Sequence, residues 1–221
     1  MIEQDRKDGT HIITMDDGKV NALNKDKLDA LVEALADCAG DQAPVILKGR
    51  KGIWSAGFDL KGFAAGADAA LAQLEAGRQA ILAILKHPAP VITVCEGHAY
   101  PMGAFLMLAA DHAIGIEGKF VCGMNESKIG MVLPLYATAL GMARLAPAGR
   151  KAVASGRMFA PGEALAAGYF DEVIAPDELE AVLAARAEHM KSLNAGAFAG
   201  NKAIINQQVI ADVEAAPLPR L

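Results

Sequence analysis

The chain lacks an excess of positive charge. Its 221 residues carry 21 Lys and Arg against 26 Asp and Glu, a formal net charge of -5. A nucleic-acid partner normally demands a basic face, so this balance argues against one. It leaves room for a local basic pocket that takes a phosphorylated ligand. Cysteine is scarce: Cys38, Cys95 and Cys122 are far apart, odd in number and free of C-x-x-C spacing. That excludes a disulfide framework and reads as reduced, buried thiols of a cytosolic protein. No G-x-G-x-x-G follows a strand, no G-x-x-x-x-G-K-[ST] occurs and H-E-x-x-H is missing, so dinucleotide, P-loop and zincin chemistry are unsupported. The five histidines are scattered; His98 and His112 flank one apolar stretch but are too far apart to share a helix face. No metal site is expected. Ser55 lies in Gly52-Ile-Trp-Ser-Ala-Gly57, where the first glycine is one residue too distant for a nucleophile elbow. Long apolar runs are absent too. Ala99 to Ala110 is too short to span a bilayer and contains Pro101 and Gly103. Residues 1–8 are mostly charged or polar, unlike a secretory signal. A soluble, cytoplasmic protein with no membrane partner is expected.

What is present is apolar material. The hydrophobic fraction of 53% can bury a sizeable core and excludes disorder. The length suits one domain with a small C-terminal appendage. His11 to Met15, Pro44 to Lys48, Val91 to Cys95, Ala113 to Ile116 and Asp171 to Ile174 read as strands. Leu28, Leu31, Val32, Leu35 and Cys38 recur at helical spacing over 25–39, with Asn24 as N-cap. Further helices are expected over 68–86, 103–110, 136–146, 148–155, 161–168 and 177–192, followed by a helical tail. Residues 53–66 hold three glycines and no clean period, so they read as a loop. Strands and helices alternate. Parallel strands joined by helical crossovers, an α/β architecture, are the expectation.

Five segments carry a more specific signal. They are Lys19-Val-Asn-Ala-Leu-Asn24, Trp54-Ser-Ala-Gly-Phe-Asp-Leu-Lys61, Gly97-His-Ala-Tyr-Pro-Met-Gly-Ala-Phe105 with Ala110-Asp111, Gly123-Met-Asn-Glu-Ser-Lys-Ile-Gly130, and Ser155-Gly156 with Ala164 to Gly168 and Val173. In this order and spacing the chain resembles the crotonase superfamily of enoyl-CoA hydratases and isomerases, from about residue 10 to about residue 195. The resemblance implies a crotonase-like ββα superhelix with a helical C-terminal trimerisation region. It places a core over 1–195 and a shortened helical tail over 196–221, the chain being shorter than is usual for the family. It further implies an acyl-CoA substrate, a homotrimer or dimer of trimers, and no cofactor beyond the coenzyme A that the substrate carries.

The same resemblance assigns residues. A thioester enolate needs backbone N–H donors at its oxygen, and the family positions are those of Phe58 and Met102. Met102 stands where many relatives have a glycine; Pro101 beside it has no N–H, but its donor is not the one required. Glu126 matches the proton-handling glutamate. Met124, Ile129, Met131, Val132 and Leu133 would give it an apolar pocket that raises its pKa. Lys19, Val20, Ala56, Phe58, Leu60 and Lys61 fall near the nucleotide and pantetheine, with Lys61 able to pair with a phosphate. Asp59 and Asp111 read as structural. The other glutamate of hydratases aligns with Phe105. Hydration benefits from two carboxylates on one water, whereas moving a proton between C2 and C4 needs one base. Isomerisation is therefore preferred, with hydration (helped by Tyr136, Asn125 or Ser127) or non-catalytic acyl-CoA binding as alternatives. Phe63, Tyr136 and the 62–77 segment are expected to shape the acyl pocket.

Overall fold

The computed structural model describes residues 1–219; Arg220 and Leu221, the end of the expected tail, lie outside the described residues. In chain order the elements are β1 (Ile2–Lys7), β2 (Thr10–Met15), α1 (Lys25–Asp37), β3 (Val45–Lys48), β4 (Gly52–Ser55), α2 (Leu60–Ala64), α3 (Ala67–Lys86), β5 (Val91–Cys95), β6 (Gly97–Ala99) and α4 (Pro101–Ala109). Then come β7 (His112–Ile116), β8 (Cys122–Gly123), α5 (Leu135–Arg144), α6 (Pro147–Val153), β9 (Met158–Phe159), α7 (Pro161–Ala167), β10 (Glu172–Ile174), α8 (Leu179–Lys191) and α9 (Ala195–Ala215).

Three strand pairs in succession, β3–β4, β5–β6 and β7–β8, each send their first strand to one sheet and their second to another. The larger sheet has the order β1-β2-β3-β5-β7-β10 and the smaller β4-β6-β8-β9. Helices follow each pair, which is the ββα repeat. Neighbours are parallel from β2 to β10 and from β4 to β8; only β1 on β2 and β8 on β9 run antiparallel. The parallel strands are buried on both faces, and so read as continuous apolar runs. Val45 and Leu47 of β3 face the main core, while Ile46 joins Ile92, Val94 and Ile114 under α8. The strand change from β5 to β6 turns over Glu96 alone. A side chain on Gly97 would lie 2.0 Å from the Gly52 carbonyl carbon, so only glycine lets the smaller sheet close there.

Two expectations need correction, and the strands β1 and β6 were not anticipated. Residues 53–66 are not a loop: they contain the end of β4 and all of α2. Trp54 is fully buried and donates from Nε1 to the Gly103 carbonyl at 2.8 Å. Asp59 caps α2 by accepting from the Lys61 N–H. The flanking glycines hid both elements, because a four-residue strand shows too little period. Residues 97–99 form β6, and the apolar helix starts at Pro101 rather than at Gly103, because the fixed φ of proline suits a first helical position. The charged N-terminus forms β1, an edge strand whose Glu3 to Lys7 are exposed and whose ladder to β2 holds it.

Helix α9 packs on α3 and α5. Asn206 donates to the Leu85 carbonyl at 3.0 Å and Lys202 to Asp111 at 2.6 Å. Asp111 also accepts from the Val91 N–H, the structural role expected of it. All three cysteines are buried and free.

Candidate active site

The site begins where β4 ends. The segment 54–59 is gripped by residues 20–23. Ala56 donates to the Val20 carbonyl at 2.9 Å, Leu23 to the Gly57 carbonyl at 2.8 Å, and Asp59 to the Leu23 carbonyl at 3.0 Å. Ser55 Oγ donates to the Asn21 carbonyl at 2.8 Å and accepts from the Gly57 N–H at 3.0 Å. Gly57 takes φ +84°, a value that favours glycine. Leu23 and Phe58 form a parallel bridge in which the two bonds go to the neighbours of Phe58. In extended backbone its own N–H then points the other way. Among the described residues that N–H meets no protein acceptor.

The second donor comes from α4. Tyr100 donates to the Ser55 carbonyl at 2.9 Å, which ties β6 to the first loop. Pro101 and Met102 open the helix. First-turn N–H groups have no intrahelical partner, and the Met102 N–H meets no acceptor among the described residues. Two unpaired backbone donors thus sit on segments hydrogen-bonded to each other. Met102 is fully buried.

The third segment supplies Glu126. It opens a short 3-10 turn, Glu126–Ile129, which Gly130 ends at φ +73°. Glu126 is 5% exposed, and its Oε2 has no hydrogen-bond partner among the described residues. Burial pushes its pKa from near 4.5 up to about 7, opposed only by its own backbone N–H. Among the described residues no cation contributes to lowering it.

These segments enclose a cavity of about 600 Å³. Ala56, Phe58, Leu60, Tyr100 and Pro101 line one side, and Asn125, Glu126, Ile129, Met131 and Val132 another. Phe63, Leu74 and Pro219 complete an apolar wall. Among the described lining residues Glu126 is the one carboxylate. Phe105 is wholly buried in the core and does not reach the cavity, so α4 contributes no second acid.

Ala56, Phe58, Leu60 and Glu126 therefore stand on the cavity; Met102 does not line it and follows Pro101, which does. Lys19, Val20 and Lys61 do not line it; all three are exposed, on segments bonded to the first loop. Phe63 lines the cavity, but Tyr136 does not: it is buried, its hydroxyl without a partner among the described residues. Leu74 falls in the 62–77 segment expected to shape the pocket, though it was not singled out, and Pro219 was missed. Leu74 looks like any core leucine at helical spacing, and Pro219 carries no local signal.

A family model of enoyl-CoA hydratase/isomerase matches residues 5–218. The chain belongs to the enoyl-CoA hydratase/isomerase family. A protein of Mycobacterium avium named "Probable enoyl-CoA hydratase echA17" is 37% identical over 191 residues, 83% of this chain and 72% of that one. The rat mitochondrial enoyl-CoA delta isomerase 1 is 26% identical over 81% of this chain and 64% of its own length. The crystal structure of an enoyl-CoA hydratase/isomerase family protein from Pseudomonas syringae superposes with a TM-score of 0.95. It is 36% identical and covers 97% of this chain and 94% of its own. The crotonase fold expected from the motifs is the fold found. Among the described residues, no helix is long and apolar enough to cross a membrane.

Proposed function

We propose that this member of the family is an enoyl-CoA isomerase of fatty-acid or related acyl-CoA metabolism. The observation that carries the reading is Glu126, the one carboxylate among the described lining residues and without a cation partner among them, in an apolar cavity where Phe105 supplies no second carboxylate. The Glu126 carboxylate takes a proton from C2 of a 3-enoyl-CoA. The electron pair left behind moves to the thioester oxygen, giving a dienolate. The Phe58 and Met102 N–H groups stabilise that oxygen, each worth about 3–4 kcal/mol in the barrier. Protonated Glu126 then gives the proton to C4, the oxygen's charge returns, and the double bond stands between C2 and C3. A pKa of about 7 lets one group serve as base and then as acid near neutrality.

Lys19 and Lys61, outside the cavity on segments bonded to its first loop, suit contacts to the nucleotide phosphates, with Val20 and Leu60 along the pantetheine. A cytoplasmic homotrimer or dimer of trimers remains part of this reading. Hydration is the second reading, favoured by Asn125, a polar side chain on the cavity beside Glu126. Purified protein given a 3-enoyl-CoA should produce the 2-enoyl absorbance, and crotonyl-CoA should keep its own. Rapid loss of the crotonyl band without double-bond migration would make the chain a hydratase. Binding with neither reaction, and no exchange at C2 in heavy water, would make it a non-catalytic member.

A further inference from the structure

Pro219 is remote in sequence from the loops that build the cavity, yet it lines it. The chain reaches that point by a fixed route. Val213 at the end of α9 is fully buried, Ala216 is buried, and Leu218 packs against the main core. Arg78 of α3 donates from Nη1 to the carbonyls of Glu214 at 3.4 Å and Ala216 at 2.9 Å. Its other terminal nitrogen pairs with Glu75, and its side chain is mostly buried. Lys86 pairs with Glu214 a little further along. One turn before Arg78, Leu74 stands on the cavity wall. Arg78 therefore fastens the segment 216–219 to the helix whose preceding turn faces the cavity.

We propose that Ala216–Pro219 is a length gauge for the acyl chain. With Phe63 and Leu74, Pro219 makes a wall that offers no side-chain hydrogen-bonding group. Such a wall sorts ligands by carbon count rather than by polar substituents. A chain too long for the cavity must push Pro219 outward, against the bond between Arg78 and Ala216. This inference rests on the acyl-CoA reading above.

Binding of saturated hexanoyl-, decanoyl- and tetradecanoyl-CoA, measured by calorimetry, tests it without turnover. Wild-type affinity should rise with length and then level off or fall. A variant lacking residues 217–221 should go on gaining. Each methylene taken out of water is worth about fourfold in affinity, so the tetradecanoyl-to-decanoyl ratio should rise about tenfold or more. Arg78→Met should raise it less, because the wall is loosened but present. Pro219→Trp should lower the ratio, and it decides the matter alone if the shortened chain proves unfolded by circular dichroism. An unchanged ratio with acyl-CoA binding intact would overturn the gauge and leave the acyl-CoA reading standing. No binding of any acyl-CoA by the wild type would instead remove that reading, and the gauge with it.

Discussion

Two glutamates of this chain share the same intrinsic acidity and end at opposite extremes. Glu126 rises to about 7 because burial disfavours its charge, opposed only by its own backbone N–H. Glu172 falls to about 2 because Arg186 holds it. The guanidinium donates Nε to Oε1 and Nη2 to Oε2, both at 2.8 Å, and His112 Nε2 lies 2.7 Å from Oε1. Glu172 starts β10, where Ile174 and the helix α8 beneath it need a fixed geometry. Glu126 opens a 3-10 turn over an open cavity. A satisfied carboxylate is an anchor. An unsatisfied one retains a proton affinity near that of the solution, which makes it able to exchange protons with a ligand.

Replacing each with glutamine separates the two roles. The largest effect is on turnover. Glu126→Gln keeps the volume and removes the proton carrier, so kcat for double-bond migration should fall by about 10²–10⁴-fold. Acyl-CoA affinity should change little. Glu172→Gln should leave kcat within about twofold, since it lies off the cavity. Steady-state rates of the three proteins decide this; equal loss in both variants would end the distinction. The wild-type kcat/KM should also climb about tenfold per pH unit below about 7 and flatten above, because the first step needs the carboxylate form.

Stability should move in the opposite sense at Glu126. Its folded pKa lies above the unfolded value. The stability this gives is full below about 4.5 and is lost as the pH rises through about 7. The whole loss is about 3 kcal/mol. Glu126→Gln has nothing to ionise and should escape it. Relative to the wild type, the inactive variant should gain up to about 3 kcal/mol between pH 4 and pH 8 in urea unfolding. A difference that stays flat over that range would mean the carboxyl is already solvated.

Much of this contrast could be read from sequence, and the unread part has physical causes. Glu126, Phe58 and Met102 stood out through short motifs whose order identified the family. Apolar runs such as Val91 to Cys95 gave the buried parallel strands. The charged β1 gave no such pattern, because an edge strand is held by its ladder rather than by burial. What makes Phe58 a donor is the bridge to Leu23, a contact set by folding and absent from any local pattern. The same holds for Pro219, brought to the cavity by Arg78 across most of the chain. The motif also marked Lys19 and Lys61, which the fold leaves exposed outside the cavity.

The smallest effect is at the anchor itself. Glu172 has a depressed pKa, so the stability it contributes is present above about 4.5 and lost as the pH falls towards about 2. Arg186 is 42% exposed, and water screens the pair. Glu172→Gln should therefore cost only about 1 kcal/mol at pH 7 rather than the larger figure its pKa alone would suggest. His112 and Arg186 would each keep a neutral acceptor in the amide oxygen, which limits the loss further. Urea unfolding at pH 7, 4 and 3 should show the difference shrinking as the wild-type carboxylate takes up its proton. A loss that stays constant down to pH 3 would show that packing of β10, and not charge, is what Glu172 supplies.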